Sequence, residues 1–232
     1  MSTSTAVEVV DLSQSTVREL NQRLHDASDG GPQDWQVLHP GGLHSIAAGV
    51  NAPLEIDIDG HVGYYCAGMN QQATVRIHGN AGVGLAENIM SGAVIVDGDA
   101  SQSAGATGHG GLVVVRGNAS TRAGISMKGV NIVVGGDVGN LSAFMAQKGA
   151  LVVCGDAGEA LGDSIYEAHL YVRGKVASLG ADCVEKEFGE FHLGELTGLL
   201  QDAGIDADPG EFRRYGSARK LYNFDIDNAG DY

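Results

Sequence analysis

A right-handed parallel β-helix of seven coils is the fold this sequence predicts, and three observations predict it. Glycine recurs at a fixed interval, with Gly60, Gly79, Gly98, Gly117, Gly136, Gly155 and Gly174 each 19 residues apart. Aliphatic residues keep a period of two ahead of every one. Ile56, Val75, Val94, Val113, Ile132, Leu151 and Leu170 stand four positions before it, and Ile58, Ile77, Val96, Val115, Val134, Val153 and Val172 two before it. Small apolar residues follow, Val62, Ala81, Ala100, Ala119, Val138, Ala157 and Val176 two positions on, and Ala67, Ala86, Gly105, Gly124, Ala143, Gly162 and Ala181 seven on. Mostly β-branched residues at period two mark a strand with one buried face. A repeat this short cannot bury its own apolar face, so its copies must stack with like residues in columns.

Taken in chain order, residues 1–50 predict a small strand-and-helix cap. Residues 7–12 alternate as a short strand, and Thr16-Val-Arg-Glu19 is a capping box opening an amphipathic helix through Leu20 and Leu24. Such a cap covers the first coil, whose open edge would otherwise invite pairing with another chain. Residues 51–184 carry the stack, an all-β, single-stranded solenoid. Its second face, after the glycine, is expected to be a strand lined by very small side chains, as a tight interior requires. The aligned glycine suits a corner where φ is positive or a neighbouring backbone comes close. At about 4.8 Å between strands, seven coils make a rod roughly 30 Å long. The LxxLxLxxN pattern of a leucine-rich horseshoe is missing, and a hexapeptide helix would favour a multiple of six. Beyond Cys183 the register is lost. Residues 185–232 read as an extension, with a short helix over 194–200, a loop over 206–210 and an arm over 212–224. The arm carries Arg213, Arg214, Arg219 and Lys220 among Tyr215 and Tyr222.

Composition agrees with a repeated turn. The chain has 36 glycines, 4 prolines and only 6% aromatic residues, with 43% apolar content to fill a core. Neither a collagen repeat nor a disordered Gly/Pro linker combines these values. A net charge of −15 argues against sequence-independent nucleic-acid binding and against an anionic membrane surface, both of which need clustered Lys and Arg. No apolar run reaches the roughly 18 residues of a transmembrane helix, and the first residues lack the basic and apolar regions of a signal peptide, so a cytoplasmic protein is expected. Cys66, Cys154 and Cys183 are odd in number and lack CxxC spacing, which suits small buried or half-buried hydrophobes better than a disulfide or a thiolate zinc site.

Motifs that could carry chemistry dissolve into the repeat. Gly79-Asn-Ala-Gly82-Val-Gly84 is GxxGxG, the reverse of the dinucleotide fingerprint, and no βαβ unit surrounds it. The eight histidines show no HExxH or paired ligand spacing. His109, set among glycines, shares a column with Gln71, Met90, Lys128, Gln147 and Tyr166, which reads as a partner-facing ridge. No serine or cysteine sits in a nucleophile elbow. A carbohydrate-acting β-helix would cluster carboxylates on one face. Here the outward strand column runs Asp57, Arg76, Ile95, Val114, Val133, Val152, Tyr171 and is mostly apolar.

The Gly-x-x-small turn, with Gly63-Tyr-Tyr-Cys-Ala-Gly-Met69, Gly105-Ala-Thr-Gly-His-Gly-Gly111 and Leu161-Gly-Asp-Ser-Ile-Tyr166, closely resembles the GXGXG β-helix family. That family includes the C-terminal domain of the glutamate synthase large subunit and the β-helix subunit of formylmethanofuran dehydrogenase. The likeness spans nearly the whole chain. The N-terminal piece and the tail Tyr215-Gly-Ser-Ala-Arg219 resemble the stand-alone β-helix subunits of glutamate-synthase-like complexes, notably that of N-methylglutamate synthase, the methylamine–glutamate N-methyltransferase. The resemblance implies a non-catalytic scaffold beside two partners, a glutamine-amidotransferase-like subunit and an FMN-binding synthase subunit with iron–sulfur centres. It assigns no catalytic, cofactor-binding or metal-ligating residue to this chain. Whether such a complex takes its nitrogen from methylamine or from glutamine is left open.

A scaffold acts through its surface, and two features predict where. Ile95, Val114, Val133 and Val152 form an aliphatic row on consecutive coils, a stripe that a solvated monomer seldom exposes. Arg213, Arg214, Tyr215, Arg219 and Tyr222 form a basic, aromatic arm suited to an acidic partner. Both are expected at partner interfaces.

Overall fold

The computed structural model describes residues 7–27, 31 and 33–220. The first element is strand β1 (Glu8–Asp11), followed by helix α1 (Val17–Asp26) and strand β2 (Asp34–Leu38). Then come β3 (Glu55–Asp59), β4 (Thr74–Ile77), β5 (Ala93–Val96), β6 (Leu112–Val115), β7 (Lys128–Val134), β8 (Lys148–Val153) and β9 (His169–Val172). The chain ends in β10 (Cys183–Lys186), α2 (Glu190–Ala203), a 3-10 turn at Pro209–Glu211 and β11 (Arg213–Ser217). All eleven strands form one sheet in the order β1 to β9, then β11, then β10.

Strands β3 to β9 are the seven coils of a parallel β-solenoid. Ile56, Val75, Val94, Val113, Ile132, Leu151 and Leu170 pair in register down the stack. Both aliphatic columns ahead of the glycines are fully buried. Stacking also begins upstream of residue 51, because β2 pairs in parallel with β3 and Trp35 lies opposite Ile56. These residues are 21 positions apart rather than 19, so the first rung falls outside the repeat.

From Gly79 onward the aligned glycines mark close approach rather than left-handed backbone, while Gly60, the first of them, has a φ of +136°. A Cβ on Gly79 would lie 2.6 Å from Gly60 C, and one on Gly155 only 2.1 Å from Asp137 Oδ1. Down this corner each side chain accepts the backbone N–H one coil on. Asn80 takes Asp99, Asp99 takes Asn118, Asn118 takes Asp137, Asp137 takes Asp156 and Asp156 takes Lys175, at 2.7–2.9 Å. The ladder satisfies corner amides that the sheet does not reach.

The expected second strand is not one. Past the glycine, the column from Val62 to Val176 makes isolated parallel bridges, and the chain then enters turns in which alternate residues have positive φ. In one coil these are Tyr65, Ala67 and Met69, and in the coil from Arg122 they are Arg122, Gly124 and Ser126. Their amides point alternately to the next coil and the previous one, as with Ser103 to Thr121 O, Gly105 to Leu85 O and Thr107 to Ile125 O. The small middle residue therefore has two causes, a left-handed φ and a crowded interior, since a Cβ on Gly105 would meet Ile132 Cδ1 at 2.5 Å.

Both ends of the stack are closed by the chain itself. At one end α1 begins with its capping box intact and buries Leu20 and Leu24. Asn21 of that helix ties to the coil below through Ser45 O and the Ala47 amide. At the other end β11 turns antiparallel against β9 and carries β10 on its far side. Of the arm expected to reach a partner, Arg213–Ser217 is thus a strand of the chain's own sheet. Tyr215 is buried, Arg214 pairs opposite Tyr171, and Arg219 Nη2 donates to Glu167 Oε2 at 2.8 Å. Tyr222 lies outside the described residues.

The aliphatic row has an occupant as well. Val114, Val133 and Val152 are fully buried in one cluster with Leu196, Leu199, Leu200 and Ala203 of α2 and with Phe212, while Ile95 is partly buried at its margin. The helix is longer than the 194–200 segment read from sequence. Its apolar side is the cover that the stripe required, with a full aliphatic side chain worth about 1.5–3 kcal/mol when buried.

Candidate functional site

Outside the core, chemistry-bearing residues gather at two places on the outer face of the sheet, one toward each end of the stack. The face is polar where α2 does not reach. His78 on the β4 edge lies between two carboxylates, with Nε2 2.9 Å from Asp57 Oδ1 and Nδ1 2.8 Å from Asp97 Oδ2. Arg116 Nε stands 3.4 Å from Asp97, Arg76 pairs with Glu55 at 2.6 Å, and Gln36 donates to Asp59 at 2.8 Å. Hydrogen bonds to Asp97 and then to Asp57 raise the His78 pKa, which favours the imidazolium. A shallow cleft of about 370 Å³ lies over this surface and is lined by Trp35, Gln36, Glu55, Asp57, Asp59 and His78, among others. Each carboxylate that contacts His78 is already committed to it, so the group is an ion-pair lattice laid across coils.

The second gathering lies where the N-terminal half of α2 meets β9. His169 and Tyr171, two positions apart on β9, project from the same face. His192 and Glu195, three apart on α2, share one side of the helix. His169 Nδ1 lies 2.8 Å from Glu195 Oε2, and Tyr171 donates its hydroxyl proton to the same oxygen. With that proton committed, the Tyr171 oxygen accepts from His192 Nδ1–H at 3.1 Å. The His169 and His192 rings meet edge to face with centroids 4.7 Å apart.

Burial works to raise the Glu195 pKa, but hydrogen bonds from His169 and Tyr171 outweigh it and hold the carboxyl below its usual range. Burial, with Arg214 and His169 adding to it, lowers the His192 pKa and keeps that ring neutral. Burial, reinforced by Glu195, raises the Tyr171 phenol far above its ordinary value. Sequence reasoning missed this cluster. It saw Tyr171 as the last member of an apolar column, and no local motif links residues 169 and 171 to a helix some twenty positions on.

The remaining candidates stay where the repeat put them. His109, Met90, Gln71 and Lys128 are exposed along the outward ridge. All three cysteines are buried and free. Burial pushes the Cys66 and Cys183 thiols up to about 12, so neither supplies a thiolate at neutral pH. No helix among the described residues is long and apolar enough to cross a membrane.

No family model matches the chain. Over 226 residues it is 58% identical to Protein GlxC of Rhizobium meliloti (strain 1021), the match covering 97% of this chain and 99% of that protein. Identity at this level, carried through the whole solenoid and its two closing ends, makes the chain a member of the GlxC family.

Proposed function

We propose that this chain is a non-catalytic structural subunit of a glutamate-synthase-like complex, and more narrowly of an N-methylglutamate synthase. The observation that carries the reading is the filled solenoid. Both aliphatic columns of every coil are fully buried, and the small residues after the corners from Gly60 to Gly155 occupy what remains of the interior, while in the last coil Val176 is half-buried and Ala181 exposed. A rod packed this way works through its surface and its length. Kinship with GlxC and resemblance to the GXGXG β-helices of glutamate synthase support the same reading.

In this account the solenoid sets the spacing between an amidotransferase-like subunit and an FMN-binding synthase subunit with iron–sulfur centres. The chemistry stays with those partners. Amine nitrogen would condense with a 2-oxo acid with loss of water, and the resulting imine would take up two electrons and protons through the redox centres of the flavin-binding subunit. The surfaces left for contact are the polar face around His78, the ridge through Met90 and His109, and the outward side of α2, where Phe191 and Leu193 are exposed.

Affinity purification of the tagged chain from its native cells, followed by mass spectrometry, tests the proposal. Amidotransferase-like and flavin-binding synthase chains should co-purify in fixed ratio, with flavin absorbance in the complex and methylamine-dependent N-methylglutamate formation. Recovery of the tagged chain without either partner would overturn the complex, and glutamine as its nitrogen donor would overturn the narrower assignment.

A further inference from the structure

We propose that His169, His192 and Glu195 form a binding site for one divalent transition-metal ion of the zinc class, which clamps α2 onto β9. One ring nitrogen from each histidine and one Glu195 oxygen all lie within 4.8 Å of one another. Zinc holds nitrogen and oxygen ligands at about 2.0–2.2 Å, which sets tetrahedral ligands roughly 3.4 Å apart. Side-chain rotation must bring the most separated pair together by at most about 1.4 Å and open the 2.8 Å pair of His169 Nδ1 and Glu195 Oε2 by about 0.6 Å.

The chemistry of the donors suits such an ion. Two imidazoles and a carboxylate are a recurrent zinc set that leaves a fourth position for water. Glu195 Oε2 already faces His169 Nδ1 and accepts from Tyr171, and the His192 ring, which donates Nδ1–H to Tyr171, keeps its lone pair on Nε2. The ion takes the place of the proton between His169 Nδ1 and Glu195. The ring proton then resides on Nε2, so a neutral His169 changes tautomer without net proton release. Tyr171 remains a phenol and keeps its hydrogen bond to Glu195, the outer-shell contact that orients a ligating carboxylate.

The place of the cluster also argues for a clamp. Helix α2 starts at Gly189 with no side-chain cap and contains Gly194 and Gly198, both weak helix formers. Its apolar side chains hold the later turns on the sheet, while His192 and Glu195 supply the polar ties of its beginning to β9, beside the ring contacts of Phe188 with Tyr171 and Phe191 with His169. An ion bridging them would fasten the end that backbone propensity leaves loose. Arg214 lies near enough to His192 and Tyr171 to oppose a cation, so binding rests on the Glu195 charge.

Titrating zinc chloride into the chelator-stripped full chain by calorimetry is the test, with cobalt(II) absorbance reporting the coordination. Saturation at one ion per chain, tetrahedral cobalt bands and a zinc-dependent rise in melting temperature are expected. His192→Ala and Glu195→Gln should each lose more than the roughly 10–100-fold of affinity that an outer-shell change costs, and Tyr171→Phe should fall within that range. His109→Ala, on the exposed ridge, should bind as the parent does. Circular dichroism of the zinc-free proteins checks folding, and Glu195→Gln, which keeps the shape and one hydrogen bond, covers the case in which His192→Ala does not fold. Absence of saturable binding would mean that these residues are only a hydrogen-bond network, and unchanged affinity in both ligand variants would place any bound zinc elsewhere. Either result overturns the site, and neither depends on whether the chain joins a synthase complex.

Discussion

Asn118 Oδ1 accepts the Asp137 amide at 2.8 Å and occupies the space a side chain on Gly136 would fill, 2.3 Å from where its Cβ would stand. Glycine at the corner and the amide ladder are one device, because each asparagine or aspartate reaches its acceptor position across a neighbour that has no side chain. Gly136→Ala should displace Asn118, leave the Asp137 amide unpaired and cost about 1–3 kcal/mol. Urea denaturation checks it against Gly194→Ala, an exposed position inside α2 where a Cβ meets nothing within 4 Å and a gain of up to about 1 kcal/mol is expected.

Gly124 tests the other small column. Its φ is +68° and a Cβ would lie 3.2 Å from both Ile132 Cδ1 and Met127 Sδ. Gly124→Leu should therefore lower stability by about 3 kcal/mol or more, adding backbone strain to overpacking. The exposed change Lys128→Gln should remain within about 0.5 kcal/mol. Equal denaturation midpoints for the two would mean that the turn does not face the core.

Burial of the aliphatic row reverses what a partner-facing stripe would lead one to expect of its mutants. Val114→Asp combined with Val133→Asp places two unpaired carboxylates beneath α2, at a cost of several kcal/mol. Helix docking should be lost before the coils, whose inner columns at Val113, Val115, Ile132 and Val134 are untouched. Hydrogen exchange should show residues 190–203 unprotected while β6 and β7 stay protected. Retained protection across α2 would show that the helix is held by something other than this row.

A pH effect follows from His78. Its folded pKa is raised above the ordinary 6.5 by Asp97 and Asp57, so its contribution is complete below that value and is lost as pH rises through the higher folded pKa. The side chain is 43% exposed, so the contribution is at most about 1 kcal/mol after solvent screening. Wild type should lead His78→Gln in melting temperature at pH 6 and converge with it by pH 9. A gap that widens with pH would contradict the pairing.

Much of this architecture was legible because seven copies of one pattern make columns visible without a structure. The strands, the inner face and the corner glycines follow from Val75, Val94, Val113 and their equivalents. Left-handed turns were hidden because Tyr65, Asn88 and Arg122 adopt positive φ without being glycine, so no residue type announces them. The β2 rung was hidden by its 21-residue offset, which breaks the period. What covers Val114 and Val133 was hidden for another reason. An exposed-looking stripe states that a cover exists, but only the return of the chain from residue 189 identifies that cover as α2. The same return assembles His169, Tyr171, His192 and Glu195, which share no motif.

Reconstitution of coupled activity tests the central claim most directly. The amidotransferase-like and flavin-binding subunits are mixed with and without this chain, and the flavin-dependent transfer of nitrogen to a 2-oxo acid is followed. A structural role predicts that each partner retains its own partial reaction alone, that transfer between them appears only when this chain is added, and that the chain by itself is colourless and inactive. Transfer at the full rate without it, or a flavin chromophore and turnover in the chain alone, would contradict the account.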